Sequence, residues 1–181
     1  MSLRQGRVVM STGDHCLVAD DENTIHRCQL RSKRNQRPIC GDRVDWHADA
    51  SGNVVEAIEP RHNVIERGDF RGHPRPLAAN IDLLILVIAP EPAPDSLLID
   101  RYLVLARTAD IPLIIWLNKT DLLTPANQAQ IDRTTERYQS LGVPIYGGSA
   151  MDANARDTAR ALTQAKTVIL VGQSGVGKSS M

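Results

Sequence analysis

Near the end of the sequence, Gly172-Gln173-Ser174-Gly175-Val176-Gly177-Lys178-Ser179 has the composition of a phosphate cradle. It satisfies GxxxxGK[ST] at every fixed position. Glycines let the backbone take positive φ and approach phosphate oxygens without a Cβ in the way. Successive N–H groups then form an anion nest, and a following helix adds the positive end of its dipole. Lys178 is placed to reach β- and γ-phosphates, and the Ser179 hydroxyl to ligate Mg²⁺, with Ser180 beside it. The preceding apolar run, residues 167–171, supplies the strand such a loop requires.

A second cluster, Asn118-Lys119-Thr120-Asp121, follows another apolar run. A carboxylate there can accept both N1–H and N2–H₂ of guanine, whereas adenine presents the opposite polarity, so Asp121 selects GTP over ATP. Asn118 can tie this loop to the phosphate loop, and the stem of Lys119 can lie over the base. Alone, NKxD is a weak pattern; beside a phosphate loop it gains weight. Ser149-Ala150 lies after the next strand, where a small residue lets a backbone N–H reach guanine O6.

These loops need a scaffold. Residues 81–89 and 111–117 read as strands buried on both faces of a parallel sheet. Residues 96–109 read as a helix that Ser96 can cap, and Thr124-Pro125 opens another that stops near Gly142. Residues 143–146 and 167–171 complete the strands, with a helix over residues 153–164 between them. Strand–helix alternation with short connections means a doubly wound α/β domain.

The first 67 residues have a different texture. Short β-type runs at 7–10, 16–19, 24–28, 44–46 and 53–58 are separated by turn residues, without helical periodicity. They predict a small all-β barrel, best described as an open Greek-key barrel of the oligonucleotide-binding (OB) type. Residues 68–80 form a linker, and its Gly- and Pro-rich part, 68–76, is expected to lack regular structure. The domains are then 1–67, the 68–80 linker and 81–181.

The barrel segment carries Arg27, Arg31, Lys33, Arg34 and Arg37 in a stretch without acidic residues, a candidate RNA contact. Against it, residues 1–67 hold as many acidic as basic side chains, and the whole chain has a formal net charge of zero. Trp46 or His47 could supply a stacking surface, although Trp46 reads better as core. Three cysteines without a CxxC pair suggest free thiols in a reducing cytosol. The longest apolar stretch falls well short of the roughly 20 residues a membrane span needs. A cytoplasmic protein without membrane contact is expected.

The motif order is NKTD, then SA, then the phosphate loop, whereas in Ras-like GTPases the phosphate loop comes first; this resembles the circularly permuted GTPases. Residues 41–44 (GDRV), 78–82 (AANID), 100–103 (DRYL) and the loop GQSGVGKSS are similar to the small-ribosomal-subunit-dependent GTPase A family (RsgA, also called YjeQ). The resemblance spans essentially the whole sequence. It implies an OB barrel, a permuted α/β P-loop GTPase domain and a C-terminal zinc domain. The implied activity is GTP hydrolysis in late maturation of the small ribosomal subunit, with Mg²⁺ as cofactor, 16S rRNA as partner and a monomeric state. It assigns Asn118, Lys119, Thr120, Asp121, Ser149, Ala150 and residues 172–180 to GTP binding. The family's switch threonine, DxxG segment and zinc ligands would follow Met181, where this sequence stops, so it reads as truncated after the P-loop and the group that orients the attacking water is unassigned. Two other readings remain: a nucleotide-sensing RNA-binding module without turnover, and a P-loop ATPase or kinase, against which NKTD argues.

Overall fold

The computed structural model describes residues 2–30, 37–50, 52–68, 73–149 and 151–181. Contacts divide the chain into two units, one ending at Asn80 and the other beginning at Ile81.

In the first unit, apolar residues at alternate positions build five strands: β1 (Arg4–Ser11), β2 (His15–Ala19), β3 (Ile25–Leu30), β4 (Arg43–Asp49) and β5 (Gly52–Ile58). They close into a barrel in the order β1-β2-β3-β5-β4. The ring is closed, not open as the sequence suggested. β1 pairs with β2 through its C-terminal half and with β4 through its N-terminal half, and a register shift between Val8 and Met10 lets it bend from one partner to the other. Inward side chains of Val8, Cys16, Val18, Cys28, Val44, Trp46 and Val55 fill the interior, each worth roughly 1.5–3 kcal/mol when an aliphatic of this size is fully buried.

Trp46 is completely buried, with the His26 ring 4.4 Å away and the Arg4 guanidinium 5.3 Å away. His47 is also buried. Neither residue is therefore an exposed stacking platform. His26 in turn meets the Asp20 carboxylate at 2.7 Å. Asp42, wholly buried before β4, accepts from Arg61 Nε at 2.7 Å and Nη2 at 2.8 Å, and from the Ile39 N–H at 2.8 Å. This bidentate pair ties the residues just ahead of β4 to Arg61.

Of the stretch expected to be irregular, Gly68 and residues 74–76 lie in strands instead, and residues 69–72 lie outside the described residues. β6 (Val64–Gly68) and β7 (Pro74–Ala79) form an antiparallel ribbon, with Pro74 opposite Gly68 and Pro76 opposite Glu66. Proline is tolerated because each strand of a two-stranded ribbon has an outer edge, where a missing N–H leaves no ladder bond unmade.

The second unit holds a parallel sheet in the order β10-β9-β8-β11, from β8 (Leu83–Ile88), β9 (Leu113–Asn118), β10 (Ile145–Gly148) and β11 (Val168–Val171). All six residues of β8 are buried, as its continuous apolar run requires. Helices α1 (Ser96–Thr108), α2 (Pro125–Ser140) and α3 (Ala153–Thr163) make the connections. The cap of α1 is Asp95, one residue earlier than expected: its carboxylate accepts from the N–H groups of Leu97 at 2.9 Å and Leu98 at 3.3 Å. Thr124 caps α2 as expected, with the Asn127 side chain accepting from its N–H at 2.8 Å. Strand ends therefore deliver NKTD, Ser149 and the glycine-rich loop to the carboxyl edge of one sheet, where α/β folds bind ligands.

Candidate nucleotide site

The glycine-rich loop leaves β11 at Gly172 and ends in a single 3-10 turn, Lys178–Ser180. Gly172, Gly175 and Gly177 take φ of 140°, 84° and 91°. A side chain at Gly172 would run into the Val87 carbonyl, and one at Gly177 into the Asn118 amide. Those two positions need glycine for space as well as for conformation.

Two side chains of the NKTD segment hold the loop. Asn118, buried at the end of β9, donates from Nδ2 to the Val176 carbonyl at 3.0 Å. Lys119 donates from Nζ to the Gly175 carbonyl at 2.6 Å and to the Glu91 carbonyl at 3.5 Å. Its backbone is left-handed, with φ of 55°. Such a conformation costs a non-glycine residue about 1–2 kcal/mol, and the ammonium bonds help to hold it. The turn carries the chain into a 3-10 segment, Thr120–Leu122, on which Asp121 is exposed with no hydrogen-bond or ion-pair partner among the described residues.

Lys178 lies over its own loop, donating to the carbonyls of Gly172 at 3.0 Å and Gln173 at 2.6 Å. Ser174, Ser179 and Ser180 are exposed, and Val176 is buried beneath the loop. Gly148 of β10 is the register partner of Asn118, so Ser149 begins its loop beside NKTD. The Ser149 hydroxyl accepts from the Met151 N–H at 3.2 Å. Ala150 lies outside the described residues.

One contributor was missed in the sequence, the connection from β8 to α1. Besides the Glu91 carbonyl, Pro92 lies near Gly175, and the Asp95 N–H meets Gln173 Oε1 at 3.4 Å. Its proline-rich composition gives no chemical hint. Only its place after a buried parallel strand marks it as part of a sheet-edge site. Below the loop, Ile85, Trp116, Asn118, Ala155, Val168 and Leu170 are among the residues lining a cavity of about 310 Å³.

Of the basic residues singled out for RNA, Arg27 is exposed on β3 and Arg37 is exposed ahead of β4, its carbonyl accepting from Arg61 Nη2 at 3.2 Å. Arg31, Lys33 and Arg34 lie outside the described residues. Among the described residues no group of three or more His, Cys, Asp or Glu could hold a metal ion. Among the described residues no helix is long and apolar enough to cross a membrane.

A glycine nest on one strand, tied by asparagine and lysine to a guanine-type loop two strands away, and preceded by a five-stranded barrel, defines a circularly permuted P-loop GTPase architecture. The family model described as RsgA GTPase matches residues 58–181, and the chain belongs to that family. A small ribosomal subunit biogenesis GTPase RsgA from Marinobacter nauticus is 43% identical over 169 residues, covering 91% of this chain and 48% of the relative. The protein of the same name from Chromohalobacter salexigens is 42% identical over 183 residues, covering 98% and 53%. The chain thus spans about half the length of these relatives. Among solved structures, YjeQ from Thermotoga maritima superposes with a TM-score of 0.82 at 30% identity, covering 99% of this chain and 63% of that one. YloQ, described as a circularly permuted GTPase, gives 0.77 at 28% identity with the same coverage.

Proposed function

We propose that this chain is the guanine-nucleotide-binding and RNA-binding part of a GTPase that serves late maturation of the small ribosomal subunit in the cytoplasm. The observation that carries the reading is the pair of bonds from Asn118 and Lys119 to the glycine-rich loop. They support one nucleotide spanning both motifs, with its base at Asp121 and its phosphates at Lys178. The loop's N–H groups would hold phosphate oxygens, and Lys178 would exchange its two carbonyl partners for β- and γ-phosphate. Lys119 would lay its stem along the base while its ammonium keeps the loop closed. The residues fit Mg²⁺, whose chemistry is to neutralise charge between the β- and γ-phosphates; Ser179 would hold it. Ser149 and Ala150 would serve guanine O6 through a backbone N–H. Gln173, Ser174, Gly175, Val176 and Ser180 complete the cradle, and Thr120 shapes the turn that presents Asp121.

Arg27 and Arg37, with Arg31, Lys33 and Arg34, would neutralise phosphates of 16S rRNA. The family relationship supports hydrolysis of GTP to GDP and phosphate by the whole protein, acting as a monomer, with zinc in a separate C-terminal domain. A second reading is a nucleotide-sensing rRNA-binding module without turnover.

Calorimetry with GDP, GTP and ATP tests the base assignment. Guanine nucleotides should bind and ATP should not, and Asp121→Asn should move the preference to xanthine nucleotides. ATP competing on equal terms with GTP would refute it. Turnover with and without small ribosomal subunits separates the two functional readings.

A further inference from the structure

The connection from β8 to α1 is fastened to both candidate nucleotide motifs. At its start the Glu91 carbonyl accepts from Lys119 Nζ of the NKTD segment at 3.5 Å. At its end the Asp95 N–H donates to Gln173 Oε1 of the glycine-rich loop at 3.4 Å. Between these points Pro94 is buried, and Pro92 lies beside Gly175. Asp95 is at the same time the cap of α1. Its carboxylate accepts from the N–H groups of Leu97 and Leu98, and its carbonyl accepts from the Ile99 N–H at 3.0 Å. One residue therefore meets the glycine-rich loop through its N–H and starts a helix with its oxygens.

The same turn of α1 is gripped by α2. The buried Tyr138 donates its hydroxyl to Asp100 Oδ1 at 2.9 Å, with the Ser96 carbonyl 3.3 Å away, while Asp100 Oδ2 accepts from Arg137 Nη2 at 3.1 Å. Bonded residues thus lead from the glycine-rich loop through the start of α1 to α2, and the first link is the Gln173 side chain. Gln173 holds a second bond. Its carbonyl accepts from Lys178 Nζ at 2.6 Å, a bond given up when Lys178 turns to phosphate. The loop then takes its order from the phosphate oxygens that its N–H groups hold, and the Gln173 side chain carries that order to Asp95.

We infer that Gln173 is a positioning residue of the nucleotide site: its amide oxygen latches the β8–α1 connection to the glycine-rich loop, so that phosphate binding also orders the first turn of α1. The latch is one net hydrogen bond, about two- to tenfold in the equilibrium between latched and open connection. Linkage makes the effect reciprocal, so whatever steadies this turn also tightens nucleotide binding. The inference rests on the reading above that places phosphates at Lys178, and it gives the Gln173 side chain a task that the backbone cradle does not require.

The test is amide hydrogen exchange of this 181-residue chain, read residue by residue by NMR with and without GDP and Mg²⁺. In the parent, GDP should slow exchange in the glycine-rich loop and also at Leu97, Leu98 and Ile99, the latter by about two- to tenfold. Gln173→Ala removes the latch, and Gln173→Met keeps the side-chain length without an acceptor. In both variants GDP should still slow the loop, while the α1 amides exchange at one rate with and without it. GDP affinity should fall by no more than about tenfold, the value of the one bond. A merely structural Gln173 would instead change the α1 rates equally in both conditions and leave their response to GDP intact. Circular dichroism melts confirm folding of each variant. GDP that slows the loop but not α1 in the parent would overturn the latch alone, as would an α1 response that survives in both variants. No GDP binding by the parent would overturn the nucleotide reading and this inference together.

Discussion

Asn118 joins two halves of the nucleotide site through one bond, so replacing it measures what that bond does. Nδ2 donates to the Val176 carbonyl at 3.0 Å, and the side chain is buried. Asn118→Ala leaves a carbonyl beneath the loop without its partner. A buried group left unpaired costs about 1–3 kcal/mol, or roughly 5- to 150-fold in the equilibrium between the closed loop and its alternatives. Where nucleotide binds only the closed loop, apparent affinity falls by the fraction of closed loop lost. GDP affinity should therefore drop, by up to roughly 5- to 150-fold. Asn118→Asp keeps the shape but turns the donor into an acceptor facing a carbonyl, and should be worse than alanine. Isothermal calorimetry with GDP reads both. The barrel lies in the other unit, so urea unfolding of that unit should not move. An aspartate variant binding as well as the alanine variant, or either binding like the parent, would refute the view that this bond closes the site.

Arg61→Ala strands the buried Asp42 carboxylate, and should destabilise the barrel by about 3–5 kcal/mol in urea melts while leaving GDP affinity unchanged. Asp20 has its carboxyl held below the usual range, chiefly by the His26 side chain. A group with a depressed folded pKa stabilises above its unfolded value and loses that contribution as pH falls through the folded one. His26→Gln should accordingly flatten the acid side of the barrel's stability profile below about pH 4, and an unchanged profile would refute the pairing. Burial pushes the Cys16 thiol up to about 12 and the Cys28 thiol to about 11, whereas Cys40 is exposed. A thiol reagent at pH 8 should modify Cys40 quickly and the other two only on unfolding; three equally fast thiols would contradict the buried pair.

The elements easiest to see in the sequence were those whose residues answer to one neighbour only. The six buried residues of β8 read as a sheet-core strand because both faces are covered, and Thr124-Pro125 reads as a helix start because the signal is local. The β6–β7 ribbon was hidden because Pro74 and Pro76 break strands in general, and only the partner's position shows that their missing N–H groups cost nothing. Barrel closure depends on β1 serving two neighbours through a register shift, which no local pattern announces. Asp95 displaced Ser96 as the cap of α1, two residues of equal aptitude side by side. In the site, motif spelling marked Asn118 and Lys178, but the roles of the Glu91 carbonyl and the Asp95 N–H are backbone roles, which side-chain identity does not encode.

The strand order has a consequence for a chain made from its amino end. β8, β9 and β10 precede β11, and the NKTD loop leaves the ribosome some fifty residues before the glycine-rich loop, from Asp121 to Gly172. The barrel comes earlier still. During synthesis the emerging polypeptide therefore holds the whole barrel while its two candidate nucleotide loops are still apart, and they can meet only once β11 has slotted in beside β8.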